Sequence, residues 1–139
     1  MAITDLTELL RCMQPELWPG RYGFACVDPT LALPGGVVPF AMVAEAEGLT
    51  LVAHEAELQA AGLAFQGGWA RISLTVVSDL AAVGLTAAVA GALAAVGISA
   101  NVVAGYHHDH FFVQADRAED ALVALRDLGR PRVGGVARD

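Results

Sequence analysis

Basic residues are scarce in this chain: eight Lys and Arg stand against fifteen Asp and Glu in 139 residues, a formal net charge of −7. Without a contiguous basic patch to neutralise phosphates, the composition argues against nucleic acid as a partner. The acidic surplus is spread along the chain, reads as a solvated surface and names no cationic partner. Cysteine is scarcer still. Cys12 and Cys26 are the only two, and they lack CxxC spacing. Residues 1–10 carry Asp5 and Glu8 where a secretory signal needs positive charge followed by an unbroken apolar run. The expectation is a cytoplasmic protein with reduced thiols.

Residues 80–106 contain no Asp, Glu, Lys, Arg or His, and the stretch is long enough to span a bilayer. Gly84, Gly97, Ser99 and Asn101 interrupt it, alanine is its commonest residue, and neither flank carries an anchoring Lys or Arg cluster. A buried helix followed by a buried strand is the better reading, so no membrane partner is expected. Apolar residues are otherwise plentiful, 55% of the chain, while aromatics make up only 6%. Small side chains of this kind suit close backbone packing.

Periodicity predicts the elements. Residues 5–13 place Leu6, Leu9, Leu10 and Met13 at helical spacing after Thr4 as a candidate N-cap. Residues 22–27 read as a strand, and 28–38 as a loop carrying two prolines and two glycines. Strands at 39–46 and 49–53 are joined by a tight turn at Glu47-Gly48, and a short helix at 55–61 ends at Gly62. Residues 69–77 alternate, with Ile72, Leu74 and Val76 on one face and Arg71, Ser73 and Thr75 on the other.

A helix at 84–96 stacks Leu85, Val89 and Leu93, and strands follow at 98–104 and 110–114. Asp116 with Glu119 resembles a capping box for a last helix to Leu128, closed by Gly129 and Pro131. The tail adds one further candidate strand. From residue 69 the order is strand, helix, strand, strand, helix, which is the split βαβ, ferredoxin-like plan. The fold class expected is therefore α+β, two ferredoxin-like βαββαβ halves with antiparallel sheets, divided as 1–64 and 65–139 around a hinge at 62–68.

The runs "EAEGLTLV", "ISLTVVSDLAAVGLTAAV" and "NVVAGYHHDHFFV" resemble small stand-alone bacterial proteins with two ACT-like halves, and "GISANVVAGYHHDHFFV" resembles the regulatory ACT pair of aspartokinases. The likeness is strong after Trp69 and weak before about Pro39. It implies a ligand-sensing module rather than an enzyme, one that binds a small molecule, an amino acid above all, at the interface between paired domains. The matching positions here are Ser78, Asp79, Val83, Gly84 and Leu85 in the loop after the first strand of the second half, with Asn101 and Val102 in the next strand. Most such domains are tethered to an effector domain, for which these residues leave no room.

The loop "SDLAAVGL" has its own rationale for binding an anion. It leads into a helix whose unpaired N–H groups and positive dipole end favour a carboxylate, Gly84 would admit ligand backbone, and Asp79 could meet an amino group. The plainer reading is that Ser78 or Asp79 caps or turns into the helix. Asn101, an amide in an apolar strand, needs a partner, and a ligand or a neighbouring loop would serve.

Three histidines and an aspartate occupy 107–110, yet alternate strand residues point to opposite faces, so this run alone cannot converge four ligands on a metal outside a compact turn. Its position suits the reversal between two strands, with His107, His108 and His110 as candidate cleft-lining residues. His54, beside Glu55, belongs to no metalloenzyme spacing. No metal or other cofactor is expected and no catalytic residue is named. A metal-binding protein or hydrolase using this cluster, and a structural adaptor, are the alternatives. Ala87, Gly91 and Ala95 form a small-residue stripe that suits core packing or a homo-oligomer contact, and Trp18 and Trp69 read as core or hinge packing.

Overall fold

Residues 5–130 are described by the structure, a computed structural model. The first helix, α1 (Leu6–Arg11), starts from Asp5, whose carboxylate accepts a hydrogen bond from Thr7 N at 3.2 Å. The cap is thus Asp5 and not Thr4, which lies outside the described residues. The strands β1 (Pro15–Leu17), β2 (Tyr22–Val27), β3 (Ala41–Glu45) and β4 (Gly48–His54) follow, then α2 (Glu55–Ala60) and β5 (Gln66–Leu74). After these come α3 (Leu85–Ala95), β6 (Asn101–Ala104), β7 (Asp109–Gln114), a 3-10 turn (Ala115–Arg117) and α4 (Ala118–Gly129).

Several boundaries differ from expectation for local reasons. Glu45 pairs with Gly48, so the β3–β4 turn is Ala46-Glu47, and Gly48 opens β4 at φ 150°. The expected capping box does not form. Arg117 holds the N-cap of α4 without a side-chain bond because the 3-10 turn already supplies the entry to the helix. Gly129 ends inside α4 rather than beyond it. A Cβ there would stand 2.6 Å from the Leu10 carbonyl oxygen, so its value is the close approach of α1. The expected tail strand lies outside the described residues.

All the described strands join one antiparallel sheet in the order β3-β4-β2-β5-β7-β6, with β1 also on β5. Strand β5 is shared. Near its start Trp69 pairs with Tyr22 and Gln66 with Phe24, which makes it the closing strand of a unit formed by β2, β3, β4 and α2. Farther along it opens a second unit with α3, β6, β7 and α4, and β1 occupies the flank where a fourth strand belongs, Leu17 opposite Ile72 and Pro15 opposite Leu74. Two ferredoxin-like α+β units thus emerge, as expected. In the first, residues 28–40 stand as a loop in place of the helix that joins the equivalent strands of the second. Gln66 to Gly68, expected as hinge, lie within β5.

Packing crosses the expected division at 64/65. Leu9 and Met13 sit in one buried cluster with Ile72, Leu74, Val89, Leu93, Phe111 and Leu125. Each such side chain contributes about 1.5–3 kcal/mol through the area it removes from water. A smaller cluster of Ala25, Val37, Ala53 and Leu58 lies beneath α2. Both clusters lie on one face of the sheet, because Tyr22 and Trp69 are cross-strand partners and fix the alternation of β2 and β5 in common. The opposite face carries no helix among the described residues. Tyr22, Val52 and Phe112 are buried there, with Phe24, Phe40 and Trp69 packed around them, so side chains of the two units meet on this face.

Candidate functional site

The loop 75–84 and the β6–β7 hairpin come together at one end of the sheet. Gly105 N donates to His108 O at 2.8 Å and Ala104 pairs with Asp109, which makes residues 105–108 the strand reversal that the spacing predicts. Ser78 Oγ donates to Asp109 Oδ2 at 3.4 Å, and His108 Nδ1 lies 3.3 Å from the Val76 carbonyl oxygen. A carbonyl only accepts, so His108 carries its proton on Nδ1. Burial raises the Asp109 carboxyl above its ordinary value, opposed by the Ser78 hydrogen bond and by His108. The hairpin therefore finds its second element in the Ser78 loop.

Within that loop the expected roles are redistributed. Asp79 forms a local turn, its carboxylate accepting from Ala81 N at 2.8 Å and its carbonyl from Ala82 N at 2.9 Å. Gly84 is the N-cap of α3 at φ 102°, a conformation that favours glycine. The open side of Gly84 is already taken: a Cβ would meet Leu6 Cδ2 at 3.0 Å, so α1, not a ligand, uses the missing side chain. The Leu85 side chain points into the main core, whereas Val83 is exposed.

Asn101 and Val102 lie on β6, which among the described strands pairs only with β7. Asn101 is exposed and sits three residues along β6 from Ala104, about 10 Å by the rise of a strand. The fold does not bring it to Ser78. Its amide reaches the Phe112 carbonyl at 3.5 Å. With β7 and β5 between β6 and β2, neither Asn101 nor the Ser78 loop lies where the two units meet.

The histidines diverge. His107 is exposed, its ring 4.9 Å from that of Tyr106, His108 turns to Val76 and His110 to Ser73. His54 stacks on Tyr22 with ring centroids 4.3 Å apart. Among the described residues no group of three or more His, Cys, Asp or Glu is placed to hold a metal ion. Nor is any described helix long and apolar enough to cross a membrane. The stripe Ala87, Gly91 and Ala95 is exposed, and among the described residues nothing lies within 4 Å of a Cβ built on Gly91. Among those residues the stripe packs into no core cluster.

A second cluster, unseen as a site in the sequence, lies on the helix-free face. Trp18 Nε1 donates to Ser73 Oγ at 2.8 Å, and Ser73 Oγ lies 2.6 Å from His110 Nδ1. The Arg71 guanidinium is held between the rings of Trp18 at 4.1 Å and Phe40 at 3.9 Å. Burial, then Arg71 and His108, push His110 down to about 4, so its imidazole is neutral at neutral pH. The one sequence signal was the Arg71-Ser73 alternation on a strand. Trp18, 37% exposed, is neither core nor hinge packing but one wall of this cluster, while Trp69 packs edge-on against Phe24.

Residues 1–69 match one ACT domain model and residues 65–127 match another. A protein of unknown function from Vibrio cholerae is 48% identical over 90% of this chain and 96% of its own, with a TM-score of 0.80. This chain belongs to the ACT-domain family. The ACT fold recurs at lower identity in a protein from Agrobacterium tumefaciens, 19% identical over 83% of this chain and 87% of that one, TM-score 0.70. It recurs also in the ligand-free regulatory subunit of aspartate kinase from Thermus thermophilus, 14% identical over 84% and 97%, TM-score 0.66. No curated protein matches the sequence. The two ACT matches overlap at 65–69, the start of the strand that both units share.

Proposed function

We propose that this ACT-domain chain is a regulatory, non-enzymatic protein that binds a small ligand, an amino acid, at the end of the sheet where the Ser78 loop meets the β6–β7 hairpin. The observation that carries the reading is the approach of Ser78 to Asp109, with His108 turned to Val76, which sets the hairpin against the loop that leads into α3. The Asp109 carboxylate suits an ammonium group. The first turn of α3, with Thr86 exposed and no acidic residue, suits a carboxylate. The regulatory subunit of aspartate kinase supports the reading by fold alone.

The site is one-sided. The edge strand β6 and the exposed stripe Ala87, Gly91 and Ala95 of α3 offer a second copy of the chain a way to complete it, so we place the ligand at a contact between chains and not between the two units of one chain. A cytoplasmic setting fits Cys12 and Cys26, both free thiols.

A thermal-shift screen of the standard amino acids at millimolar concentration tests the proposal. A ligand at 100 times its dissociation constant stabilises the fold by about 2.7 kcal/mol. The expected result is a shift for one amino acid or a few related ones, reduced by Asp109→Asn and Ser78→Ala. A flat response across the set removes the reading.

A further inference from the structure

The cluster around Arg71 is a concentration of hydrogen-bond donors without an acceptor of negative charge. NH1 of Arg71 donates to the Tyr22 hydroxyl at 3.4 Å, a weak bond. Nε is buried and has no hydrogen-bond partner among the described residues. The ion pairs among the described residues involve Arg11, Arg21, Arg117 and Arg130, and none includes Arg71. In a chain of net charge −7, this cation is shielded from carboxylates by aromatic walls and by its place in the middle of the sheet.

The neighbouring network sets the sense of its hydrogen bonds. An indole N–H can only donate, so Ser73 Oγ accepts from Trp18. The remaining hydroxyl proton of Ser73 then points to His110 Nδ1, the acceptor 2.6 Å away. His110 is thereby held in the tautomer that carries its proton on Nε2, beside Phe40 and on the same face as Arg71. Its Nε2 lies beside Gly105, 3.4 Å from where a Cβ there would stand, so the donors left for a ligand are those of Arg71, while His110 and Ser73 hold Trp18 against it.

Geometry selects the kind of anion. The guanidinium carbon lies 4.1 Å from the Trp18 ring centroid and 3.9 Å from that of Phe40, so an anion reaches it by way of the N–H groups that the rings leave free. A planar carboxylate matches those groups through two parallel N–H···O bonds, which a tetrahedral anion does less well between two rings. We infer that Arg71, with His110, Trp18 and Phe40, forms a second binding site on the helix-free face, specific for the carboxylate of a small organic acid. The site shares no residue with the Ser78 loop and stands whether or not that loop binds a ligand.

The test is an NMR titration of the full chain, following the indole N–H resonances of Trp18 and Trp69 as benzoate or acetate is added at constant ionic strength. Trp18 contacts both Arg71 and Ser73, so its resonance is expected to move saturably and further than that of Trp69, while chloride leaves it in place. Arg71→Gln is expected to weaken binding by about tenfold or more. Arg71→Lys keeps the charge, loses the planar fork and weakens it too; it serves should the glutamine variant fail to fold. Ser78→Ala with Asp79→Ala leaves the titration unchanged.

An immobile Trp18 resonance at millimolar benzoate and acetate overturns the proposal. So does an equal response to chloride or inorganic phosphate, undiminished binding in a folded Arg71 variant, or loss of the response in the Ser78/Asp79 variant. A flat amino-acid screen alongside a saturable Trp18 response would sink the Ser78 reading and leave this one standing.

Discussion

Successive residues of β5 and β7 face two different environments. Ile72, Leu74, Phe111 and Val113 enter a core closed by α1, α3 and α4 and built of apolar side chains. One residue away, Arg71, Ser73, His110 and Phe112 enter a face that none of the described helices covers, where aromatic rings flank a hydrogen-bonded chain from Trp18 to His110. The first face gains its stability from area removed from water. The second holds polar groups whose worth depends on each finding its partner. Substitutions on the two faces should accordingly fail for different reasons.

The largest effect is expected from Phe111→Ala on the helix-covered face. Removing a fully buried ring should cost about 3–5 kcal/mol, read as a lowered midpoint in urea unfolding. A loss as small as that of a surface variant would break the comparison. Ser73→Ala on the other face removes little volume but strands Trp18 Nε1 and His110 Nδ1, for an expected loss of about 1–3 kcal/mol. Ser73→Thr, which retains the hydroxyl, should lose less where the added methyl fits.

The pH dependence tests the same network. His110 is held at about 4 against an ordinary value of 6.5, so between those values the unfolded chain takes up a proton that the folded chain resists. Stability should therefore be complete above pH 6.5 and fall as the pH drops towards 4, and His110→Phe should flatten that part of the profile. Asp109 contributes with the opposite sign. Its raised folded value favours the folded chain at low pH and that contribution is lost as pH rises through it, so Asp109→Asn should steepen the acid-side fall.

The smallest effect is on the outer surface of α3. Gly91→Ala adds a Cβ where nothing among the described residues lies within 4 Å and should stabilise an isolated chain by about 0.5–1 kcal/mol. If a second copy packs closely on this stripe, the same change should weaken self-association, measured by sedimentation.

Much of the fold was legible because its signals are local. The alternation read over residues 69–77, the stacking of Leu85, Val89 and Leu93, and the punctuation at Gly62 and Gly97 depend only on neighbours; the elements appear there, with the strand running three residues earlier, Gln66–Leu74. What the sequence left unread shares a cause. Gly84 reads as an invitation to a ligand until Leu6, far off in sequence, is seen beside it. Leu85 reads as part of a binding loop until its side chain is found in the core. Trp18 gave no local hint of Arg71, and the contact exists because β1 returns to the flank of β5.

By itself the sequence determined the period and order of the elements, the α+β plan, the ACT likeness and the strand reversal in the histidine run, since backbone preference and side-chain alternation act over a few residues. Only the tertiary structure decided that β5 serves both units, that residues 5–17 complete the second, and that Ser73 faces His110 while the Ser78 loop faces Asp109. These are matters of register and strand order. A pairing between segments dozens of positions apart is selected by the packing of the whole sheet, and no local pattern carries it.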